Sequence, residues 1–128
     1  ELSLWHAQCV EALALAAAMV HPGVVGSDVY AAVAGFFEER GHPTGRSKPE
    51  GSVLRDGFYH GLGHGVGLRV HEAPNIGKTG HPFVVGDVIA VEPGLYRHGW
   101  GGVRVEDLLL VTEDGAETLT AFPYALAP

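Results

Sequence analysis

The pattern of apolar and polar positions predicts a helix over residues 3–20, where apolar residues recur at helical spacing and alanine fills most of the remaining positions. The helix should end at residues 21–23, because the sequence His-Pro-Gly does not continue a helix. Its expected apolar face comprises Leu4, Trp5, Cys9, Val10, Leu13 and Met19.

A second helix is predicted over residues 28–40, with Ser27 as its N-cap and Gly41 as its C-terminal cap. Its expected apolar face comprises Tyr30, Val33, Phe36 and Phe37. Residues 41–57 mix glycine, proline, serine and charge without any period, so we expect a surface loop there.

From residue 58 onward the pattern indicates strands. Within residues 58–71, glycine alternates with other residue types. Residues 87–92 contain a short apolar run that ends in an acid. Residues 73–86 are rich in turn formers and predict a connection. Residues 102–112 predict one long strand, followed by a hairpin turn at 113–115 and a returning strand at 117–120. Helices followed by an antiparallel sheet indicate an α+β fold.

Composition narrows the class of protein. The chain has 128 residues, which predicts one domain, and its net charge of −7 offers no basic face for nucleic acid. The single cysteine, Cys9, excludes an internal disulfide and fits a reducing compartment, so we expect a cytoplasmic protein. We expect no membrane partner, because uninterrupted apolar runs are short and no basic leader precedes the apolar residues 12–20.

Three histidines lie within twelve residues, among four glycines: His60, His64 and His71. Imidazole is a common metal ligand and a general acid or base near neutral pH. His60 and His64 share one face of a regular strand, whereas His71 has the opposite parity. A common site therefore needs a bulge or twist, which Gly65 and Gly67 would permit. A single histidine in such a loop is more often structural, but the whole cluster favours a site.

Two acidic motifs follow. Glu92 ends an apolar run immediately before Pro93, and a buried carboxylate there would need a partner, a metal or a proton. Arg104 and Glu106 should share a strand face, where the arginine could clamp a carboxylate in a bidentate manner. Each motif alone also fits an ordinary strand end or ion pair. Together with histidine, these oxygen and nitrogen ligands suit Mn, Co, Zn or Fe, and carboxylates can bridge a two-metal hydrolytic centre.

Three segments resemble the M24 metallopeptidases, the pita-bread family of methionine aminopeptidases, Xaa-Pro aminopeptidases and prolidases. They are HGLGHGVGLRVHEAP at 60–74, VIAVEPGLY at 88–96 and GGVRVEDLLLVTEDGAETLT at 101–120, and they occur in the family's order. The second and third segments resemble Xaa-Pro aminopeptidases more than methionine aminopeptidases. The resemblance implies the C-terminal part of a pita-bread fold and hydrolysis of Xaa-Pro peptides by a water that two metal ions activate.

The resemblance also implies roles for individual residues. His64, Glu92 and Glu106 would be metal ligands, with Glu106 bridging two divalent ions. His71 would contact substrate and assist proton transfer, His60 would line the pocket, and Arg104 would support the site beside Glu106. The implied partner is a peptide with proline at its second position, and we expect a homo-oligomer because an uncovered sheet and apolar face favour self-association.

The chain departs from the family pattern in one respect. The family takes two further metal-binding aspartates from a hairpin before the first helix, and the five aspartates here (28, 56, 87, 107 and 114) do not match those positions. We therefore expect residues 1–128 to be a partial catalytic domain without a stable dinuclear centre or peptidase activity of its own. The alternatives are a creatinase-like amidinohydrolase and a pita-bread binding module that has lost catalysis.

Overall fold

The computed structural model describes residues 1–126. Two helices, α1 (Leu2–Met19) and α2 (Gly26–Glu38), precede seven strands. The strands are β1 (Gly63–Gly65), β2 (Glu72–Ile76), β3 (Val88–Val91), β4 (Gly94–Arg97), β5 (Gly101–Arg104), β6 (Asp107–Thr112) and β7 (Gly115–Thr118).

The strands form two antiparallel sheets. Five pair in the order β2-β1-β3-β6-β7, and β4 pairs with β5 in a separate two-stranded sheet. Helix α1 packs on α2 and on strands of both sheets, so a single apolar core lies between the helices and the strands. The predicted α+β class is confirmed.

Helix α1 buries a narrower stripe than its sequence suggested. The buried side chains follow the helical repeat and are Trp5, Cys9, Ala12, Leu13 and Ala16. The prediction was wrong for Leu4, which is 59% exposed because it lies roughly 130° around the helix from the centre of that stripe. By length and composition alone, α1 is apolar enough to cross a membrane, which is weak evidence because core helices of globular proteins also meet that criterion.

Helix α2 begins earlier than predicted and has no side-chain cap. Val25, and not Ser27, is the N-cap residue, and the Gly26 N–H donates instead to the carbonyl of His81 at 3.0 Å. The adjacent segment thus replaces the expected serine cap. The prediction for Gly41 is confirmed: its φ is 81°, and the N–H groups of Gly41 and His42 donate to the carbonyls of Glu38 and Phe37.

Three strand predictions were wrong, and one strand was not predicted. The connection expected at 73–86 contains most of β2, the expected strand at 58–71 is regular only at β1, and β4 was missed. The long strand expected at 102–112 is divided at residues 105 and 106 between β5 and β6, which belong to different sheets. The predicted hairpin turn is confirmed, because Thr112 pairs with Gly115 across a loop of Glu113 and Asp114.

Candidate active site

A cavity of about 530 Å³ opens where the edge of the five-stranded sheet meets the two-stranded sheet. It gathers residues from the loop before β1, from β1, β2 and β4, and from the ends of β3 and β5. Its lining includes Tyr59, His60, His64, His71, Asn75, Glu92, Tyr96 and Arg104. Five of the six candidate residues from the sequence therefore line one cavity, and Glu106 is the exception.

His64 and Glu92 face each other because neighbouring strands carry them. His64 pairs with Ala90 across the β1–β3 ladder, and Glu92 follows β3 with its N–H donating to the Leu62 carbonyl at 2.8 Å. His64 Nε2 lies 3.6 Å from Glu92 Oε1, and the side chains are only 18% and 15% exposed. Since His64 Nδ1 lies 2.9 Å from the Gly65 carbonyl, which can only accept, Nδ1 donates to that oxygen and Nε2 is the ring nitrogen that faces Glu92.

The separation of these two atoms fits a shared metal ion. Two ligand atoms that each lie about 2.1 Å from a tetrahedral zinc ion are about 3.4 Å apart. The hydrogen bond from His64 Nδ1 is of the kind that orients a ligating imidazole. Within residues 1–126, however, no group of three His, Cys, Asp or Glu side chains converges closely enough to hold an ion. The pair thus offers two donor atoms, fewer than the four that a tetrahedral metal site uses.

His64 lies on β1 and His71 immediately before β2, so the two residues belong to opposite arms of an antiparallel hairpin and the parity expected for one strand does not apply to them. His64 pairs with Asn75, but the next residue, Gly65, pairs with Glu72. The extra residues are Ala73 and Pro74 on β2, so the bulge lies opposite the glycines that were expected to form it. The rings of His64 and His71 are consequently 4.7 Å apart, edge to face.

Gly65 is required at this bulge for a steric reason. A Cβ atom at Gly65 would lie 2.0 Å from the carbonyl oxygen of Ala73, so the bulged strand leaves space only for hydrogen. The glycine therefore permits the close approach that brings His71 to the cavity.

Arg104 lies between the two carboxylates. Its Nε is 3.5 Å from Glu92 Oε2 and 3.7 Å from Glu106 Oε2, so one nitrogen faces both acids. The bidentate clamp expected from the sequence is not formed. The two acids raise the pKa of Arg104, although its burial, the largest influence, acts in the opposite direction.

Glu106 is placed differently from Glu92. It lies outside the strands, in the passage from β5 to β6, and its side chain is 41% exposed. It lines a second cavity of about 460 Å³, together with His6 and the C-terminal segment 122–126. The structure brings Glu106 to Arg104 but does not bring it into the cavity that holds His64 and Glu92.

Two tyrosines in the cavity were not singled out from the sequence. The hydroxyl of Tyr96 lies 3.0 Å from His60 Nε2, and the ring of Tyr59 packs 5.0 Å from that of Tyr96. Burial raises the pKa of Tyr96. The sequence did contain a signal, since Tyr96 follows Glu92 by four residues in a segment matching the family, but the strand β4 that directs it was not recognised.

A search against family models identifies the metallopeptidase family M24 over residues 3–113. Among curated proteins, the Xaa-Pro dipeptidase of Pyrococcus furiosus is 52% identical over 66 residues, which cover 51% of this chain. A peptidase of Bacillus subtilis named YqhT is 34% identical over 117 residues, covering 91% of the chain. The chain spans 19% of the first relative's length and 30% of the second's.

Solved structures share the architecture. The X-Pro aminopeptidase of Thermotoga maritima matches 96% of this chain with a TM-score of 0.80 and 33% identity. The Xaa-Pro dipeptidase of Bacillus anthracis matches 98% of it with a TM-score of 0.82 and 32% identity. In both cases the match covers 32% of the larger chain.

Proposed function

This chain belongs to the metallopeptidase family M24 and has the pita-bread architecture of its relatives, and from that premise we propose that the protein hydrolyses the peptide bond between an N-terminal residue and a following proline. The observation that carries the proposal is the His64–Glu92 pair, held 3.6 Å apart beside Arg104 in a cavity large enough for a short peptide.

In this proposal His64 and Glu92 would hold a divalent ion, and Glu106 would contribute a further carboxylate to the metal centre. The mixed nitrogen and oxygen donors suit Mn, Co, Zn or Fe. The ions would supply Lewis-acid polarisation of the scissile carbonyl and activation of a water molecule. Arg104 would hold the carboxylates of Glu92 and Glu106 in position by charge attraction from its place between them.

His71 is proposed to assist proton transfer at the substrate. Its ring packs edge to face on that of His64 and lines the same cavity, so it is near a proposed metal ligand. An imidazole in that position can stabilise charge that develops on the substrate oxygen or move a proton to the leaving amine. His60 is proposed to line the pocket.

We also propose that these residues form part of a larger catalytic domain. Residues 1–126 contribute one imidazole and two carboxylates, fewer ligands than two ions need, so the remaining ligands would come from elsewhere in the complete protein. On this proposal, residues 1–128 alone hold no stable dinuclear centre and have negligible peptidase activity.

The decisive experiment is an assay of the complete protein with Mn²⁺ on an Xaa-Pro peptide and on the same peptide with alanine replacing proline. The proposal expects cleavage of the first peptide only. Glu92→Gln should reduce kcat/KM by more than about a hundredfold, because even residues that merely support a metal ligand commonly contribute that much. Glu117→Gln, on exposed strand β7, is the matched control and should retain activity.

The same assay separates the remaining alternatives. Hydrolysis of creatine without cleavage of either peptide would favour the creatinase-like interpretation, and the absence of all hydrolysis would favour a binding module.

A second candidate arises because relatives are named both Xaa-Pro dipeptidases and X-Pro aminopeptidases. An Xaa-Pro dipeptide and an Xaa-Pro tripeptide distinguish the two, since a dipeptidase cleaves only the shorter substrate.

Two further expectations stay predictions. A cytoplasmic location is supported by the single, fully buried Cys9, which needs no oxidising compartment. Self-association is supported by the exposed Leu68 and Val70 beside the cavity, at 105% and 82% exposure, and sedimentation of the complete protein tests it.

A further inference from the structure

Tyr96 and His60 are joined by a hydrogen bond that the proposed reaction does not require. The Tyr96 hydroxyl lies 3.0 Å from His60 Nε2, and His60 Nδ1 lies 2.6 Å from the carbonyl oxygen of Gly61. Both ring nitrogens of His60 are therefore engaged by the protein itself.

The direction of each hydrogen bond follows from the chemistry of its partners. A carbonyl oxygen can only accept, so the proton of His60 lies on Nδ1 and its Nε2 accepts from the Tyr96 hydroxyl. The two hydrogen bonds thus run in one direction, from Tyr96 through His60 to the backbone.

Tyr96 is held in place by packing that leaves its ring little freedom. A Cβ atom at Gly94 would lie 2.5 Å from the Tyr96 hydroxyl, and one at Gly102 would lie 2.3 Å from ring atom Cδ1. The ring of His60 packs 5.1 Å from buried Phe58, edge to face. Two glycines and an aromatic core residue therefore fix both partners of the hydrogen bond.

We propose that Tyr96 is a positioning residue that holds His60 in its Nδ1–H tautomer, so that His60 presents its ring to the pocket and takes no part in proton transfer. This assignment deepens the proposed function, on which its kinetic consequence rests. It separates two histidines that the sequence grouped as catalytic candidates, because only His71 remains available for proton transfer.

The direct test is nitrogen-15 NMR of the histidine side chains in the complete protein. The wild type should show His60 as a single Nδ1–H tautomer whose Nε2 accepts a hydrogen bond. Tyr96→Phe keeps the ring but removes the donor, and should shift the His60 Nε2 resonance or mix the two tautomers. A wild-type His60 protonated on Nε2, or a His60 signal that Tyr96→Phe leaves unchanged, would overturn the proposal.

Tyr124→Phe is the matched control, because it removes another hydrogen-bonded tyrosine hydroxyl, the one that donates to Asp107. It should leave the His60 resonances unchanged. Thermal unfolding of both variants shows whether each retains the fold. A His60 shift as large in Tyr124→Phe as in Tyr96→Phe would mean that the signal reports general loosening and not the Tyr96 bond.

A double-mutant cycle provides the kinetic test. Tyr96→Phe should raise KM for an Xaa-Pro peptide about fivefold with a smaller change in kcat, and should cause little further change in a His60→Ala background. Equal effects of Tyr96→Phe in both backgrounds would contradict a role exercised through His60. If the wild type cleaves no Xaa-Pro peptide, the proposed function fails, and the NMR result still decides the tautomer.

Discussion

The two carboxylates of the candidate site have different surroundings, although Arg104 touches both. Glu92 follows β3 directly, its side chain is 15% exposed, and neighbouring strands fix it opposite His64. Glu106 lies between two sheets, is 41% exposed, and faces a different cavity. We call the part of the site around Glu92 and His64 the strand-held side, and the part around Glu106 the junction side.

The difference shows what each side needs in order to keep its geometry. The strand-held side depends on ladder hydrogen bonds and on glycines that let backbones approach closely. The junction side depends on Asp107, a nearly buried carboxylate that accepts hydrogen bonds from Thr120 and Tyr124 of the C-terminal segment. Backbone pairing within the sheet therefore maintains the strand-held side, whereas side-chain hydrogen bonds maintain the junction side.

The largest effect is expected from a substitution that disrupts the strand-held side. A Cβ atom at Gly63 would lie 1.9 Å from the carbonyl oxygen of Ala90, which belongs to the adjacent strand and cannot move without disrupting the ladder. Gly63→Ala should therefore lower the free energy of unfolding by about 3 kcal/mol, as overpacking of a core does. Urea unfolding followed by circular dichroism measures it.

Gly35→Ala in helix α2 is the control for that substitution. The nearest atom to a Cβ there is the flexible end of Arg46 at 3.6 Å, an ordinary contact. Because alanine favours a helix over glycine by about 1 kcal/mol, this variant should be as stable as wild type or more stable. Equal destabilisation by the two substitutions would refute the steric account of β1.

A smaller effect is expected on the junction side. In Asp107→Asn the amide group replaces one accepting oxygen by a donor, which leaves the hydroxyl of Thr120 or Tyr124 without an acceptor. The expected loss is about 2 kcal/mol in the free energy of unfolding. The pKa of Tyr124, which its hydrogen bond to Asp107 raises to about 12, should fall towards 10 in the variant.

Ultraviolet titration of the tyrosines follows that change in pKa, with Tyr124→Phe identifying the group. If Asp107→Asn leaves the titration unchanged, the C-terminal segment is not tied to the junction in the way described. Tyr96 serves as an internal reference, since burial and not Asp107 raises its pKa.

The smallest effect concerns the loop that leads to the strand-held side. The Arg46 guanidinium, aided by Thr44 and Ser47, lowers the pKa of Glu38 from 4.5 to about 2. A depressed pKa in the folded state stabilises the fold above pH 4.5, and that contribution is lost as the pH falls towards 2. The urea midpoint should thus fall over this range less steeply in Glu38→Gln than in wild type, and identical slopes would contradict the assignment.

The sequence predicted the strand-held side better than the junction side. The apolar run before Glu92 correctly placed that acid at a strand end, whereas the parity argument for His64 and His71 assumed one strand in place of the β1–β2 hairpin. The placement of Glu92 follows from local periodicity, which short-range spacing encodes. The metal and catalytic roles of these residues stay predictions.

The junction was not predictable in the same way. The apolar pattern of residues 102–112 does not distinguish one strand from two strands in different sheets, because the division at Val105 and Glu106 depends on which neighbours each half finds. Tyr96 was missed for a related reason, since its partner His60 is 36 residues away and only the packing of β4 against the loop before β1 brings them together.

The central claim is that His64 and Glu92 ligate the same divalent ion. The most direct measurement is anomalous diffraction from crystals of the complete protein grown with Mn²⁺, in wild type and Glu92→Gln. The account predicts a wild-type anomalous peak about 2.1 Å from both His64 Nε2 and a Glu92 carboxylate oxygen, weakened or lost in the variant. A fully occupied peak elsewhere, with His64 and Glu92 still paired directly, would contradict it.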